Sequence, residues 1–307
     1  MDGLTWGDGL FVAVGSGGAI LSSVDGVNWI PQDSGTWSSL GDVAWNGALY
    51  AAVGVSGGAD AIILTSTDGV TWIPQTSGTL YTSLRTVVWD GHRFVAGGET
   101  GLILTSQDGE IWVSEDSGIA ANLSGADSDG TRTLVVGEYG AMTLAEGSGA
   151  WTPLSSGPTY AILGIEWLGQ RYVAVGGSRP WGPETGLVML SDDGVFWETA
   201  EVPVSVPLSG VASDGSRIVV VGQGVIVTSD DGETWLESTP IPARMHDVTW
   251  GDGQFVAVGD TGVMPTAVIL TSEDGIDWLP SPVSTIGGLS GVTWNGAQYL
   301  AVGSGGM

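Results

Sequence analysis

The sequence predicts an all-β protein, a seven-bladed β-propeller of four-stranded antiparallel blades with an extra terminal half-repeat. Three observations carry this: a short phrase recurring roughly every forty residues, alternating apolar runs separated by Asn-Gly or Asp-Gly turns, and two chain ends that copy each other. The phrase is Ser-x-Asp-Gly-x-x-Trp, first as Ser23-Val-Asp25-Gly26-Val-Asn-Trp29. It returns as Ser66 to Trp72, Ser106 to Trp112, Ser191 to Trp197, Ser229 to Trp235 and Ser272 to Trp278. A degenerate seventh copy ends at Trp151, with Gly147 in the aspartate's place. Successive tryptophans are 43, 40, 39, 46, 38 and 43 residues apart, the spacing of a repeat architecture.

Each repeat supplies four strands. Strand A reads Leu-x-x-Val-x-Trp and strand B Phe-Val-Ala-Val-Gly, as in Val248-Thr-Trp250-Gly-Asp-Gly253-Gln-Phe255-Val-Ala-Val258-Gly259. The Asp-Gly or Asn-Gly between them marks a hairpin. Strand C is Ile-Leu-Thr-Ser, and strand D follows the phrase around its Trp. One such sheet cannot bury both faces, whereas stacked neighbours cover each other. The whole chain, 1–307, reads as a single domain, with repeats ending near 29, 72, 112, 151, 197, 235 and 278.

The repeated aspartates have a local explanation. Asp25, Asp68, Asp108, Asp193, Asp231 and Asp274 can accept backbone N–H groups across the C–D turn, and the following Gly tolerates positive φ. They are expected to bind no metal. Asp127-Ser-Asp129-Gly130 has a faint calcium-loop look, but with Gly130 in the sixth position the twelfth falls on Val136, so a turn is expected.

The phrase resembles the BNR or Asp-box repeat. With the Gly-x-x-Gly-x-Ile-Leu-Thr-Ser stretch before it, nearly the whole chain is similar to the photosystem II stability and assembly factor type of propeller. The motif is specific for fold more than function, since sialidases, xyloglucanases and sorting receptors look similar at this level. The resemblance implies a protein or peptide partner held on the face formed by the D–A and B–C connections, where the assembly factors use arginines.

Composition narrows the classes. There are 34 acidic residues against seven arginines and no lysine, for a net charge of −27. Such a surface repels nucleic acid and anionic membrane, so neither is an expected partner. Dispersed acid without lysine suits a high-salt or acid-rich extracellular setting, so a secreted, cell-surface or periplasmic location is expected. No cysteine is present, so disulfide and thiol chemistry are excluded. No apolar run is long enough to span a bilayer, and the chain opens inside a repeat, so no signal peptide or anchor is expected in it.

Of fifteen tryptophans, seven close the repeated phrase and six end A strands: Trp6, Trp45, Trp89, Trp167, Trp250 and Trp294. Tyr50, Tyr172 and Tyr299 hold the aromatic position of strand B. Left over are Trp37, Trp181, Tyr81, Tyr139 and Tyr160, all in D–A or B–C connections, at the end of the blades away from the box turns. Arg93, Arg132, Arg171 and Arg217 occupy equivalent A–B turns and read as structural. Arg85, Arg179, Arg244 and His246 fall on the aromatic side with Glu99, Glu138, Glu184 and Asp260. Binding residues concentrate in loops that break a scaffold's regularity, and the longest is Gly177-Ser-Arg179-Pro-Trp181-Gly-Pro-Glu184-Thr-Gly186.

The candidate ligand-binding set is therefore Trp37, Tyr81, Arg85, Tyr139, Tyr160, Arg179, Trp181, Arg244 and His246. The function expected is non-catalytic binding or scaffolding of a protein or peptide, without cofactor or metal. The alternatives are a glycan-acting hydrolase or glycan-binding module, and a structural repeat of an extracellular layer or fibre. The Phe/Tyr-Arg-Ile-Pro motif of sialidases is absent, since Arg179-Pro lacks the Ile. A glycosidase needs two carboxylates close together, one with raised pKa; Glu99, Glu138, Glu184 and Asp260 could supply a pair, but nothing in their spacing shows that any two converge.

Residues 3–18 are echoed by 291–306, at an offset of 288. One terminal A–B hairpin should complete a blade with residues 19–35 and the other should be surplus: loose, seated as a half-blade, or paired with another molecule in self-association.

Overall fold

A computed structural model describes residues 1–55, 60–157, 159–178, 184–238, 241–262, 265–283 and 287–304. The chain is all-β, with seven blades of four antiparallel strands in propeller arrangement. Blade 1 is β1 (Gly3–Gly7), β2 (Leu10–Val14), β3 (Ile20–Ser23) and β4 (Ile30–Gln32). Blade 2 is β5 (Leu40–Trp45), β6 (Tyr50–Gly54), β7 (Ile62–Ser66) and β8 (Ile73–Gln75). Blade 3 is β9 (Leu84–Trp89), β10 (Phe94–Gly98), β11 (Leu102–Ser106) and β12 (Val113–Asp116). Blade 4 is β13 (Leu123–Ser128), β14 (Arg132–Gly137), β15 (Met142–Glu146) and β16 (Thr152–Pro153). Blade 5 is β17 (Ala161–Trp167), β18 (Tyr172–Ser178), β19 (Leu187–Ser191) and β20 (Glu198–Ala200). Blade 6 is β21 (Leu208–Ser213), β22 (Ile218–Gly222), β23 (Val225–Ser229) and β24 (Leu236–Glu237). Blade 7 is β25 (Arg244–Gly251), β26 (Gln254–Asp260), β27 (Ala267–Ser272) and β28 (Leu279–Ser281). A final two-stranded sheet joins β29 (Leu289–Trp294) and β30 (Tyr299–Gly303).

Each blade's strands pair in chain order, A to D. The backbone divides into two units, Met1–Gly157 with blades 1 to 4 and Pro158–Met307 with blades 5 to 7 and the half-blade. Within each unit, consecutive A strands pack side by side: β1 on β5, β5 on β9, β9 on β13, and likewise β17, β21, β25 and β29.

Burial explains the strand sequences. The B strands β6, β10 and β22 are buried at every residue, which is why they read as continuous apolar runs. The D strands are exposed edges of two to four residues. Pro31, Pro74, Pro153 and Pro280 sit within four of them, blunting edges that would otherwise recruit foreign strands. The A strands of blades 2 to 7 carry a register shift, for example between Leu40 and Asp42 and between Leu208 and Gly210. That bulge turns both Leu and Val of Leu-x-x-Val inward, at a spacing that a regular strand would place on opposite faces.

The glycine ending each B strand is required by close approach. A Cβ on Gly54, Gly98, Gly137, Gly222 or Gly303 would lie 1.9 to 2.5 Å from the carbonyl oxygen of the residue preceding that blade's A strand. The same carbonyls accept the next amide along, as in Val55 to Ser39, Glu99 to Ser83 and Glu138 to Asn122.

A column of three rings fills the box end of most blades. The A-strand Trp packs on the B-strand aromatic, which contacts the box Trp: Trp45, Tyr50 and Trp72, with centroids 4.2 and 6.3 Å apart. Trp6, Phe11 and Trp29 repeat it, as do Trp89, Phe94 and Trp112, then Trp167, Tyr172 and Trp197, then Trp250, Phe255 and Trp278. Tyrosine in the middle position also ties blades together: Tyr50 donates to the Gly7 carbonyl of blade 1, and Tyr299 to that of Gly251 in blade 7.

Three A–B turn arginines link consecutive blades in the same way. Each donates to a carbonyl at the aspartate position of the next blade's box: Arg93 to Gly147 at 3.2 Å, Arg171 to Asp231 at 3.4 Å, and Arg217 to Asp274. Arg93 is the buried one. It meets Asp90 at 3.3 Å and Glu115 at 2.7 Å, and its guanidinium lies 5.9 Å from the Trp151 ring. Glu115 also accepts from Trp151 Nε1 at 2.6 Å and Thr105 Oγ1 at 2.8 Å. Blade 4 lacks a box aspartate, and this network from blade 3 anchors its Trp instead.

The chain ends resolve into one of the two expected arrangements. The amino-terminal hairpin β1–β2 completes blade 1 with β3 and β4, while the carboxy-terminal copy β29–β30 forms its own two-stranded sheet seated against blade 7.

Candidate interaction face

Antiparallel order puts the A–B and C–D turns at one end of every blade and the B–C and D–A connections at the other. At the first end, the box aspartates are occupied by their own turns. Asp25 Oδ1 accepts the amides of Val27 at 2.9 Å and Asn28 at 2.7 Å and the Ser23 hydroxyl at 3.0 Å. Asp68, Asp108, Asp193, Asp231 and Asp274 each accept the equivalent two amides and the box Ser hydroxyl. The box Trp donates Nε1 to the box Gly carbonyl at Trp29, Trp112, Trp197, Trp235 and Trp278, whereas Trp72 Nε1 is buried with no partner among the described residues. These amide bonds hold Asp68 and Asp231 down to about 2. Replacing Asp68 with alanine is expected to cost about 1–2 kcal/mol, as loss of a capping carboxylate does at a helix start, and to leave any ligand binding at the opposite end unchanged. Thermal unfolding set beside a binding titration checks both halves of that statement.

At the other end, in the first unit, the connections interlock. Four D–A connections begin with Ser-Gly, at Ser34-Gly35, Ser77-Gly78, Ser117-Gly118 and Ser156-Gly157, and all four serines are buried. Ser117 donates to the Gly101 carbonyl at 2.6 Å and Ser156 to that of Gly140 at 2.8 Å, tying each connection to its own B–C turn. Asn122 then joins blades, accepting from Thr100 N at 3.0 Å and donating to Glu138 at 3.1 Å.

At the same end, Trp37 is 93% and Tyr81 81% exposed, with Leu80 exposed beside Tyr81, and Tyr139 is 55% exposed at the crest of the blade 4 B–C turn. Tyr81 and Tyr139 have φ of 55° and 58°. Non-glycine residues in that region are uncommon and cost on the order of 1 kcal/mol, so the surrounding loops hold both backbones in a conformation they would not otherwise favour. Arg85 pairs with Glu99 at 3.1 Å on the same face.

In the second unit, Tyr160 is half-buried immediately before β17 and Arg244 is exposed at the start of β25. His246 Nε2 lies 2.7 Å from Asp260 Oδ2. Burial raises the Asp260 carboxyl, but the bonds from His246 and the Gly262 amide and the nearby Arg244 charge outweigh it and leave it below the usual range. Arg179 and Trp181 lie outside the described residues, and Glu184 is exposed.

The acids of this end face donors: Glu99 faces Arg85, Glu138 faces Asn122 and Asp260 faces His246. Among the described residues no cluster of three or more His, Asp or Glu could hold a metal ion. Two carboxylates escaped the sequence reading. Asp42 and Asp247 sit on the A-strand bulges of blades 2 and 7, where blades 1, 4, 5 and 6 have Gly3, Gly125, Gly164 and Gly210. Asp42 accepts Val43 N at 2.8 Å, Val87 N of blade 3 at 2.8 Å and the Thr86 hydroxyl at 3.2 Å. Asp247 accepts Val248 N at 2.8 Å and Val292 N of the half-blade at 2.9 Å. Both residues keep some exposed surface, but desolvation of the carboxylates dominates over these bonds and raises each to about 6. An aspartate where the repeat has glycine was the available signal.

No family model matches the chain, and no curated protein matches it either. Solved structures do. YCF48 from Cyanidioschyzon merolae, a photosystem II assembly factor with a seven-bladed β-propeller, is 16% identical with a TM-score of 0.60 over 83% of this chain and 91% of its own. A structure of YCF48 bound to D1 peptide is 17% identical, with a TM-score of 0.60 over 81% and 84%. The computationally designed Ika8 protein is 10% identical, with a TM-score of 0.76 over 98% and 92%. At these identities the likeness is one of fold.

Proposed function

We propose that this propeller is a non-catalytic protein- or peptide-binding module of a secreted or surface-attached protein, and that it engages its partner on the D–A/B–C face of the first unit. One observation carries this reading: Trp37, Leu80, Tyr81 and Tyr139 stand exposed at the same end of the blades, Trp37, Leu80 and Tyr81 on connections whose Ser34 and Ser77 are buried, and Tyr139 on a turn held by Ser156 and Asn122. Large, stiff aromatic groups on a fixed base lose little entropy on binding and dominate interface energetics. The D1 peptide held by the YCF48 neighbour supports a peptide as the class of ligand. The net charge of −27 without lysine supports an extracellular setting and favours partners with basic or neutral contact surfaces.

Panning the chain against a displayed library of random peptides tests the proposal. Selected peptides are expected to lose about 2 kcal/mol, roughly thirty-fold in affinity, with Trp37→Ala or Tyr81→Ala, and to be indifferent to Phe196→Ser at the box end. Peptides insensitive to all the loop-face changes, or the enrichment of none, would count against it, and glycan-array binding sensitive to the same two rings would move the ligand class to glycan.

A further inference from the structure

In the second unit, the flank between blades 6 and 7 carries a groove of about 1080 Å³. Its blade 7 wall is built from Val268, Leu270 and Trp278. The facing wall, among the described residues, is Ser238, Ile241 and Ala243 on the way out of blade 6. In the first unit, the corresponding groove between blades 1 and 2 is framed by the equivalent Ile62, Leu64 and Trp72, and it holds only about 420 Å³.

One strand D residue accounts for the difference. Directly opposed residues of paired strands share a face. In blade 1, Gln32 opposes Ile20, and Ile20 packs into the cluster that joins blades 1 and 2. Gln32 Nε2 donates to the Ser22 hydroxyl at 2.8 Å, which holds this long side chain across strand C, and Gln75 does the same with Thr65 in blade 2. In blade 6 the matching residue is Ser238, whose amide donates to the carbonyl of Ile226 at 2.9 Å, and Ile226 packs into the cluster that joins blades 6 and 7. A serine thus stands where the repeat has a glutamine, and the space it leaves belongs to the groove. The connection beyond it lacks the Ser-Gly of the first four and is pinned instead by Ile241 N to the Gly224 carbonyl at 3.2 Å and Gly224 N to the Ala243 carbonyl at 2.9 Å.

The box end of the groove is acidic. Glu273, Asp274 and Asp277 border it, all three exposed. The amides of Asp277 and Ile276 hold the Asp274 carboxyl below the usual range, so it is charged at neutral pH. Among the described residues none of the three forms an ion pair, and the guanidinium of Arg217 close by is held by Asp230 at 2.7 Å. Between acid and apolar wall, Trp278 keeps part of its ring exposed, where Trp72, Trp112 and Trp235 are buried. An apolar wall, an open aromatic ring and unpaired acid beside them select a ligand that is apolar at one end and cationic at the other.

We propose that this groove binds a small amphipathic organic cation, its aryl or alkyl body against Val268, Leu270 and Ile241 and its protonated amine turned toward Trp278, Glu273 and Asp277. The site lies on the flank of the blades, apart from the loop face, and stands or falls separately from it.

The test titrates phenylbutylamine, phenylbutanol and phenylbutyrate, which share one body and differ in charge, into the full chain by calorimetry at low salt and follows amide hydrogen exchange. The amine is expected to bind at one site, with slowed exchange over residues 276–280. It should bind roughly fivefold more tightly than the alcohol, and the carboxylate should not bind. Ser238→Gln, which installs the side chain found in blades 1 and 2, should fill the groove and weaken the amine roughly tenfold. Glu273→Gln combined with Asp277→Asn, which places there the residues the repeat has as Gln107 and Asn28, should bring the amine down to the affinity of the alcohol. An unchanged unfolding midpoint shows that these variants fold. Absence of amine binding, equal binding by the carboxylate, or indifference of folded protein to either change would overturn the proposal. So would slowed exchange over 276–280 that rises with protein concentration alone, since the occupant would then be a second copy of the chain.

Discussion

Arg93→Ala is expected to destabilise the fold by about 3–5 kcal/mol, the loss typical when one member of a buried ionic network is removed and its partners stay behind. The side chain is 5% exposed and holds Asp90 and Glu115, so its removal leaves two acids in a poorly solvated place. It also removes the bond to Gly147 and the cation facing Trp151, which are what blade 4 has in place of a box aspartate. Glu115→Gln should cost less, because an amide oxygen can still accept from Trp151. Urea unfolding of the two variants checks the order, and an Arg93→Ala loss below about 1 kcal/mol would show that the network does not anchor blade 4.

The second large effect is on pH dependence. Asp42 and Asp247 have folded pKa values raised to about 6, above the unfolded value of 3.8, so the folded state binds more protons between those limits. A raised carboxyl weakens the fold when ionised: its full cost of about 3 kcal/mol is present above pH 6, and it is relieved as pH falls toward 3.8. About 2 kcal/mol should return by pH 4.5 for each group. The box aspartates act in the opposite sense, because Asp68 and Asp231 are held near 2 and their contribution is lost only as the pH drops below the ordinary carboxylate range. Stability should therefore rise from pH 7.5 to 4.5 and fall in stronger acid. Relief of the net charge of −27 adds in the same direction, so the diagnostic is Asp42→Asn, whose gain over that interval should be about 2 kcal/mol smaller than that of the native chain. Parallel gains would contradict the assignment.

What the sequence revealed and what it hid have a common cause. Phrases set by local chemistry were legible: the Asp-Gly turn, the alternation of strands and the period give seven four-stranded blades. Features set by a neighbouring blade were not. The Leu-x-x-Val spacing conceals a bulge, which shows only when strands A and B are paired. Asp42 looks like one more acid until the amides of blade 3 are seen to face it. The A–B turn arginines read as structural, but their reach into the next box depends on how blades stack. The buried Ser-Gly motif, confined to the first four D–A connections, was visible in the letters and overlooked because its bonds run to another turn. Leu80 carries no mark in the sequence, since a leucine in a connection reads as core until the fold shows it exposed beside Tyr81.

Hydrogen exchange of the full chain, with and without the tightest peptide from the displayed library, tests the central claim most directly. If the loop face of the first unit is the binding face, bound peptide slows exchange in residues 33–39, 76–83 and 138–141 and leaves the box turns at 24–29, 67–72 and 107–112 unchanged. Protection confined to the box turns, with Trp37 and Tyr81 and their neighbours unaffected, would contradict it.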